Sequence, residues 1–262
     1  MNKHYSKTLL AIFLVSIIAT TNLLAQSVDK LIDEVDNYYK QFNNEKALEV
    51  AKKAEKTDPD NFEVIWRISR AYVDIAEKMP SSTSQQEDAQ LAVYQKALEY
   101  ADKAIKINPS SSIGYLRRAI ANGKIALFKG VFSVAGVVNS VRADVEKSIQ
   151  LNTGGNFTQA VAHYVLGRTH AKISEKWKPA RSVLGLGWAD NEIAIAEFKK
   201  AIALYPTYVM FYVDYANSLI REDEYKIARE MLNKALQQPI QHQDDEKRMA
   251  EAKKTLNDIK DE

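Results

Sequence analysis

The histidines are the first residues to weigh for chemistry. His163 and His170 are seven positions apart, which on a helix puts both imidazoles on one face but separates them by about 10.5 Å along the axis. That is too far to share one metal ion without a large contribution from elsewhere. Both fall where a helical repeat normally places large core side chains, and His242, beside Pro239, reads as a solvated turn residue. The acidic pairs Glu222-Asp223 and Asp244-Asp245 sit at expected helix ends, where carboxylates ordinarily serve as caps. Gly185-Leu-Gly187-Trp188 has neither the third glycine nor the preceding strand of a dinucleotide loop, and no serine lies in a nucleophile elbow. Cysteine is absent, which removes disulfides, thiolate metal sites and thiol nucleophiles together. The reading is of a protein that is not an enzyme, with no catalytic residue, no metal site and no cofactor. What remains for chemistry is recognition, by Arg70, Arg168 and Asn217 interleaved with aromatic and aliphatic side chains.

Helices must position these groups. The chain has 262 residues, 46% of them hydrophobic, with only 9 Gly and 6 Pro to interrupt helices. Ala, Leu, Lys and Glu abound, and these favour helix over strand. Five segments share a mark, a Lys followed by a small residue: Lys53-Ala54, Lys103-Ala104, Lys147-Ser148, Lys200-Ala201 and Lys234-Ala235. Four run into a proline (Pro59, Pro109, Pro206, Pro239), and the third into Asn152-Thr153-Gly154-Gly155, another helix-stopping sequence. Ala201 and Ala235 are 34 apart, the tetratricopeptide (TPR) period, whereas the earlier gaps of 50, 44 and 53 imply insertions. Gly167 takes the small position of a first helix whose partner carries Ala194, Phe198 and Ala201. The expected fold is all-α, a TPR-like α-solenoid of about five helix pairs over 29–57, 62–107, 111–151, 157–205 and 207–237, with a C-terminal capping helix over 244–260. Pro80 to Gln86 is polar and reads as a flexible connection.

Residues 1–25 differ from the rest. Lys3 and Lys7 precede an apolar run from Leu9 to Ala19, broken only by Ser16, and a polar exit leads to Ala25. This is the pattern of a secretory signal peptide, so the expectation is export to the periplasm or cell exterior with the repeat domain at 26–262. Retention of the leader would instead anchor the chain to the inner membrane. The formal charge of +2 equals the contribution of Lys3 and Lys7, since the leader holds no acid. The remainder is neutral with signs interspersed, which argues against nucleic acid as a partner.

The stretches EVIWRISRAY (Glu63 to Tyr72), YADKAIKINPSS (Tyr100 to Ser111), GVFSVAGVVNSVRADVEKSIQLN (Gly130 to Asn152) and PIQHQDDEKRMAEAKKTL (Pro239 to Leu256) resemble the regulator of microtubule dynamics family. So does the insertion bearing Trp177 and Trp188. The resemblance implies a divergent TPR array used for protein contacts and, in the member found between endoplasmic reticulum and mitochondria, phospholipid binding. The leader sets this chain apart, so the fold and the groove are what carry across. Concave positions of the repeat give the candidate groove Trp66, Arg70, Leu116, Ile120, Tyr164, Arg168, Val213 and Asn217. Such a surface suits a protein or peptide partner, or alternatively a phospholipid or other apolar ligand held by its acidic group. The side chains could equally fill a tightly wound superhelix. The insertions 130–140 and 177–188 are apolar and glycine-bearing, unlike ordinary exposed loops. Two expectations follow for them: packing against neighbouring helices, or contact with a membrane or partner.

Overall fold

The computed structural model describes residues 27–262; the leader lies outside them. Every regular element among the described residues is a helix. After α1 (27–40) come α2 (Asn44–Thr57), α3 (Phe62–Lys78), α4 (Ser84–Ile107), α5 (Ser112–Lys129) and α6 (Ala135–Leu151). Then follow α7 (Gly155–Ser174), α8 (Lys178–Val183), α9 (Asn191–Leu204), α10 (Val209–Ile220), α11 (Tyr225–Leu236) and α12 (Asp245–Asp258). The pairs are α3/α4, α5/α6, α7/α9 and α10/α11, and α1 shares a core with α2 through Val28, Val35, Val50 and Ala54. The short α8 is inserted between α7 and α9, and α12 covers α10 and α11.

The small residue of each mark explains the pairing. Ala54, Ala104, Ser148, Ala201 and Ala235 are all fully buried at helix crossings, where a short side chain lets two helices approach closely. Four of them also close their helices. The backbone N–H of Asp58 donates to Ala54 O at 2.9 Å, and that of Asn108 to Ala104 O at 2.9 Å. Asn152 N–H donates to Ser148 O at 3.3 Å and Tyr205 N–H to Ala201 O at 3.0 Å. Proline follows at once in three of these. At the end of α6 Asn152 adopts the left-handed conformation instead, with φ 49°, and Gly154 follows with φ 82°.

Helix starts are set by side-chain caps. Asn43, Asn61, Thr83, Ser111 and Asp190 each accept from a backbone N–H of the first turn. At Thr83 the cap is reciprocal: its Oγ1 accepts from Gln86 N–H while Gln86 Oε1 accepts from Ser82 N–H. The polar connection expected over Pro80 to Gln86 is therefore shorter, because its second half is the first turn of α4, a helix of 24 residues.

Between α7 and α9 the helices meet closely at Gly167. A Cβ there would stand 3.0 Å from two carbons of the Phe198 ring and 3.1 Å from Ala194 O. The apolar insertions divide between the two expectations. Val131, Val138, Leu186 and Ala189 form a small core with Ala126 and Ile173, whereas Trp177, Val183 and Leu184 stay exposed.

Candidate functional site

The curvature of the array makes a concave groove walled by α3, α5 and α7, reaching Tyr208 and Met210 at the start of α10. Its fourth side is the segment leading into α12. Gln243 accepts from Asn44 Nδ2 at 2.8 Å and donates to Asp74 O at 3.0 Å, so the end of the chain reaches back to α2 and α3. Asp245 fixes this segment, its Oδ2 accepting from Gln241 and His242 N–H at 2.8 Å each. The groove holds about 1260 Å³ of space, counting its mouth open to solvent.

Its wall is apolar on α5 and α7, through Ile120, Leu127, Val161 and Val165, and charged where α3 faces the C-terminal segment. Five basic side chains line it, Arg117, Lys124, Arg168, Lys172 and Arg248, against the three carboxylates Asp74, Glu77 and Asp244. Four of the five are paired, Lys124 with Glu77, Lys172 with Glu175, and Arg168 and Arg248 with Asp214, so Arg117 is the groove base without an ion pair among the described residues and the one placed to meet an anion. Two of these groups, and Arg70 behind them, carry atoms without partners. Among the described residues Arg117 Nε, Arg70 Nε and Asp74 Oδ2 are buried with no hydrogen bond. A buried polar atom without a partner costs about 1–3 kcal/mol, so a ligand or water able to bond them would stabilise the site. Burial, and next the Arg70 guanidinium, push Arg117 below its usual pKa. Burial raises the Asp74 carboxyl, against the pull of His242, Arg70 and Arg117. Burial and then Arg168 lower the Lys124 ammonium to about 8, against the pull of Asp74 and Asp244.

Asp74, Glu77 and His242 can bring three ligand atoms within 4.8 Å of one another. Yet Lys124 already neutralises Glu77, His242 Nδ1 accepts from Asp244 N–H at 3.3 Å, and guanidinium groups stand nearby. The setting suits an anion better than a metal cation.

Of the residues expected in the groove, Ile120, Tyr164 and Arg168 line it. The Tyr164 hydroxyl donates to Asp214 at 2.6 Å, and Arg168 lies 3.4 Å from that hydroxyl and 3.7 Å from Asp214. Trp66 and Arg70 are placed behind the lining. The Arg70 guanidinium stacks 3.6 Å from the Tyr39 ring centre and 5.1 Å from that of Trp66, and donates to Asp36 at 2.9 Å. Leu116 is buried between α5, α6 and α7, and Val213 is fully buried in the core of the last repeats. Asn217 is turned to α12, where it donates to Glu251 at 3.5 Å. The capping helix covers that end of the concave face.

Arg117, Lys124, Asp74, Tyr39, Tyr208 and Arg248 are groove residues that the repeat register passes over. A signal for some is present: Arg70, Asp74 and Glu77 step by four and three along one helix face, as do Arg117, Ile120 and Lys124. His242 is not a solvated turn residue; it is buried beside the Tyr208 ring. His170 is a core residue whose Nδ1 accepts from Asp190 N–H at 3.1 Å, and His163 pairs with Glu197 at 2.6 Å.

A family model described as regulator of microtubule dynamics protein 1-3 matches residues 31–260. Regulator of microtubule dynamics protein 1 from Bos taurus is 28% identical over 125 residues, covering 48% of this chain and 38% of that protein. Its counterpart in Mus musculus is 26% identical, with 48% and 39% covered. These alignments thus span less than two fifths of each relative. Among solved structures, the chain is similar to a thermophilic TPR protein of Thermus thermophilus, with a TM-score of 0.61 and 18% identity over 86% of this chain and 98% of that one. It is also similar to PilF of Pseudomonas aeruginosa, with a TM-score of 0.55 and 14% identity over 90% and 93%. At these identities the likeness is one of fold.

Proposed function

Because this chain belongs to the regulator of microtubule dynamics protein 1-3 family and has the TPR-type fold of an interaction scaffold, we propose that it holds a protein or peptide segment in its concave groove without catalysing a reaction. The observation that carries the reading is Arg117, whose guanidinium lines the groove with its Nε lacking a partner among the described residues. An apolar segment ending in a carboxylate would meet Ile120, Val161 and Val165 with its side chains and Arg117, Lys124 and Arg168 with its charge. The titratable groups around the groove pair with one another across helices, as in Lys124 with Glu77 and Tyr164 with Asp214.

The same apolar wall beside a basic cluster favours a second reading, an apolar ligand with an acidic head group. The two are separated by probe. Peptides selected from a random library are expected to bind with a free C-terminus and to lose affinity when amidated. Arg117→Ala with Arg168→Ala is expected to weaken them by about tenfold to a hundredfold, the effect of losing a charge-assisted hydrogen bond. Selected peptides that bind this double variant as well as the parent would overturn groove binding. Amphiphile retained through native mass spectrometry, with no peptide enriched, would transfer the groove to the second reading.

The export pattern of Lys3 to Ala25 supports a site of action outside the cytoplasm. Protein recovered from the periplasm is expected to begin near Gln26, and an N-terminus at Met1 would refute cleavage.

A further inference from the structure

We propose that the end of the molecule built from the two insertions docks on the surface of an anionic membrane. The inference stands independently of what the groove holds. Residues 123–143 and 176–189 hold no Asp or Glu; Lys124 pairs with Glu77 in the groove, Arg142 pairs with Glu146 and Arg181 is buried, but Lys129, Lys176 and Lys178 have no ion pair among the described residues. The fold brings the two stretches together. Trp188 Nε1 donates to Asn139 Oδ1 at 2.8 Å, the Lys176 ammonium lies 4.9 Å from the centre of the Phe132 ring, and Val131, Val138, Leu186 and Ala189 share one core. Three lysines without an ion pair, with the marginal carboxylates Glu146 and Glu175 already held by Arg142 and Lys172, make this end complementary to a surface of negative charge.

The same end carries the exposed apolar side chains. Of the eight large hydrophobic residues that are exposed among those described, Trp177, Val183 and Leu184 belong to the second stretch, while Leu127 of the first lines the groove. Trp177 and Val183 are the most open, at 76% and 86%. They are held out by a fixed base. Arg181 is buried and donates to Ala189 O at 2.8 Å, pinning α8 to the loop that follows, and Leu184 N–H donates to Arg181 O at 3.2 Å. Tryptophan is at home at the level of lipid head groups, and Lys176 and Lys178, which flank Trp177, can extend their ammonium groups to phosphate while their stems cover acyl carbon. No described helix is long and apolar enough to cross a membrane, so the contact is peripheral, of the kind in which short apolar insertion and basic charge add.

The test is sedimentation of the purified protein with vesicles of phosphatidylcholine alone or with about a third phosphatidylserine, scored beside Trp emission. Binding is expected to the anionic vesicles only, to shift the emission to the blue, and to be lost in high salt. Each lysine at such a surface contributes about fivefold in affinity, so Lys176→Glu with Lys178→Glu is expected to weaken binding by tenfold or more. Trp177→Ser with Val183→Asp is expected to do the same with an unchanged melting temperature, since both side chains are exposed. If that pair fails to fold, the lysine pair decides alone. Parent protein remaining in the supernatant with anionic vesicles, or both variants sedimenting like the parent, would overturn the proposal. So would self-association abolished by Val183→Asp without vesicle binding, which would assign the patch to a second copy of the chain.

Discussion

Gly167→Ala tests the register of the repeats. The new Cβ would lie 3.0 Å from Phe198 Cδ1 and Cε1 and 3.1 Å from Ala194 O, closer than carbon normally approaches either. Phe198 has no space to yield: it is fully buried, with the Tyr164 and Tyr215 rings at 5.9 and 6.5 Å between centroids. The α7/α9 crossing must open instead, and overpacking of this kind costs about 1–3 kcal/mol. Against it stands the helix propensity regained when an interior glycine becomes alanine, about 0.8–1.0 kcal/mol. The net expectation is a loss of about 1 kcal/mol, or roughly 2–4 °C in Tm for a chain of this size. Gly123, inside α5, is the matched control. A Cβ there meets nothing within 4 Å, so Gly123→Ala has the propensity gain without the clash and is expected to raise Tm by a similar amount. The two alanines should move the protein in opposite directions, and Gly167→Leu should fall well below both. Thermal unfolding by circular dichroism on the three variants is sufficient. A Tm for Gly167→Ala equal to or above the parent would refute the crossing at this residue, and with it the pairing of α7 with α9.

Arg70→Ala is expected to lower stability by about 2–4 kcal/mol, from the lost bond to Asp36 and the lost stacking on Tyr39 and Trp66. Arg168→Ala is expected to cost under about 1 kcal/mol, its side chain being 35% exposed and its partners distant; chemical denaturation of each distinguishes a structural arginine from one free to meet a ligand. Burial, then Arg142, depresses the pKa of His170. Its contribution to stability is accordingly present above the unfolded value of about 6.5 and lost as pH falls through the folded one. Tm should decline between pH 7 and pH 5, and His170→Gln should flatten that decline; an unchanged slope would exclude His170 as its source. Gln243→Ala removes two hydrogen bonds worth about 1 kcal/mol each, and hydrogen exchange should show faster opening in α2 as well as in α12. Acceleration in α12 alone would refute the link.

The helix pairs are legible in the sequence because their signals are local. A small residue four positions before a helix stop fixes both the crossing and the end of the helix, and Ala54, Ala104, Ser148 and Ala201 do both. The cap at Thr83 is equally local, a Thr-x-x-Gln signature, but lies in a polar stretch that composition alone assigns to a loop. The groove is another matter. Whether Val213 faces an open surface or a core depends on where α12 lies, and whether His242 is wet depends on how far the array curls. Both are set by small rotations summed over the helix pairs, which no short stretch of sequence encodes. Ile120, Tyr164 and Arg168 are legible because they sit mid-array, where the repeat rule for the concave face holds.

The return of Gln243 to Asn44 and to the backbone of Asp74 changes what kind of object the array is. A solenoid whose repeats meet only their neighbours behaves as a linear chain of coupled units, and frays from its termini inward. Here a contact across 199 residues of sequence ties the segment before α12 to α2 and α3, so fraying of that segment must also break these two hydrogen bonds. Folding acquires the matching penalty, since this bond closes a loop of 199 residues and so forms late. Early repeats can assemble while later ones are still emerging from synthesis, but the groove has its fourth wall only when the final residues arrive.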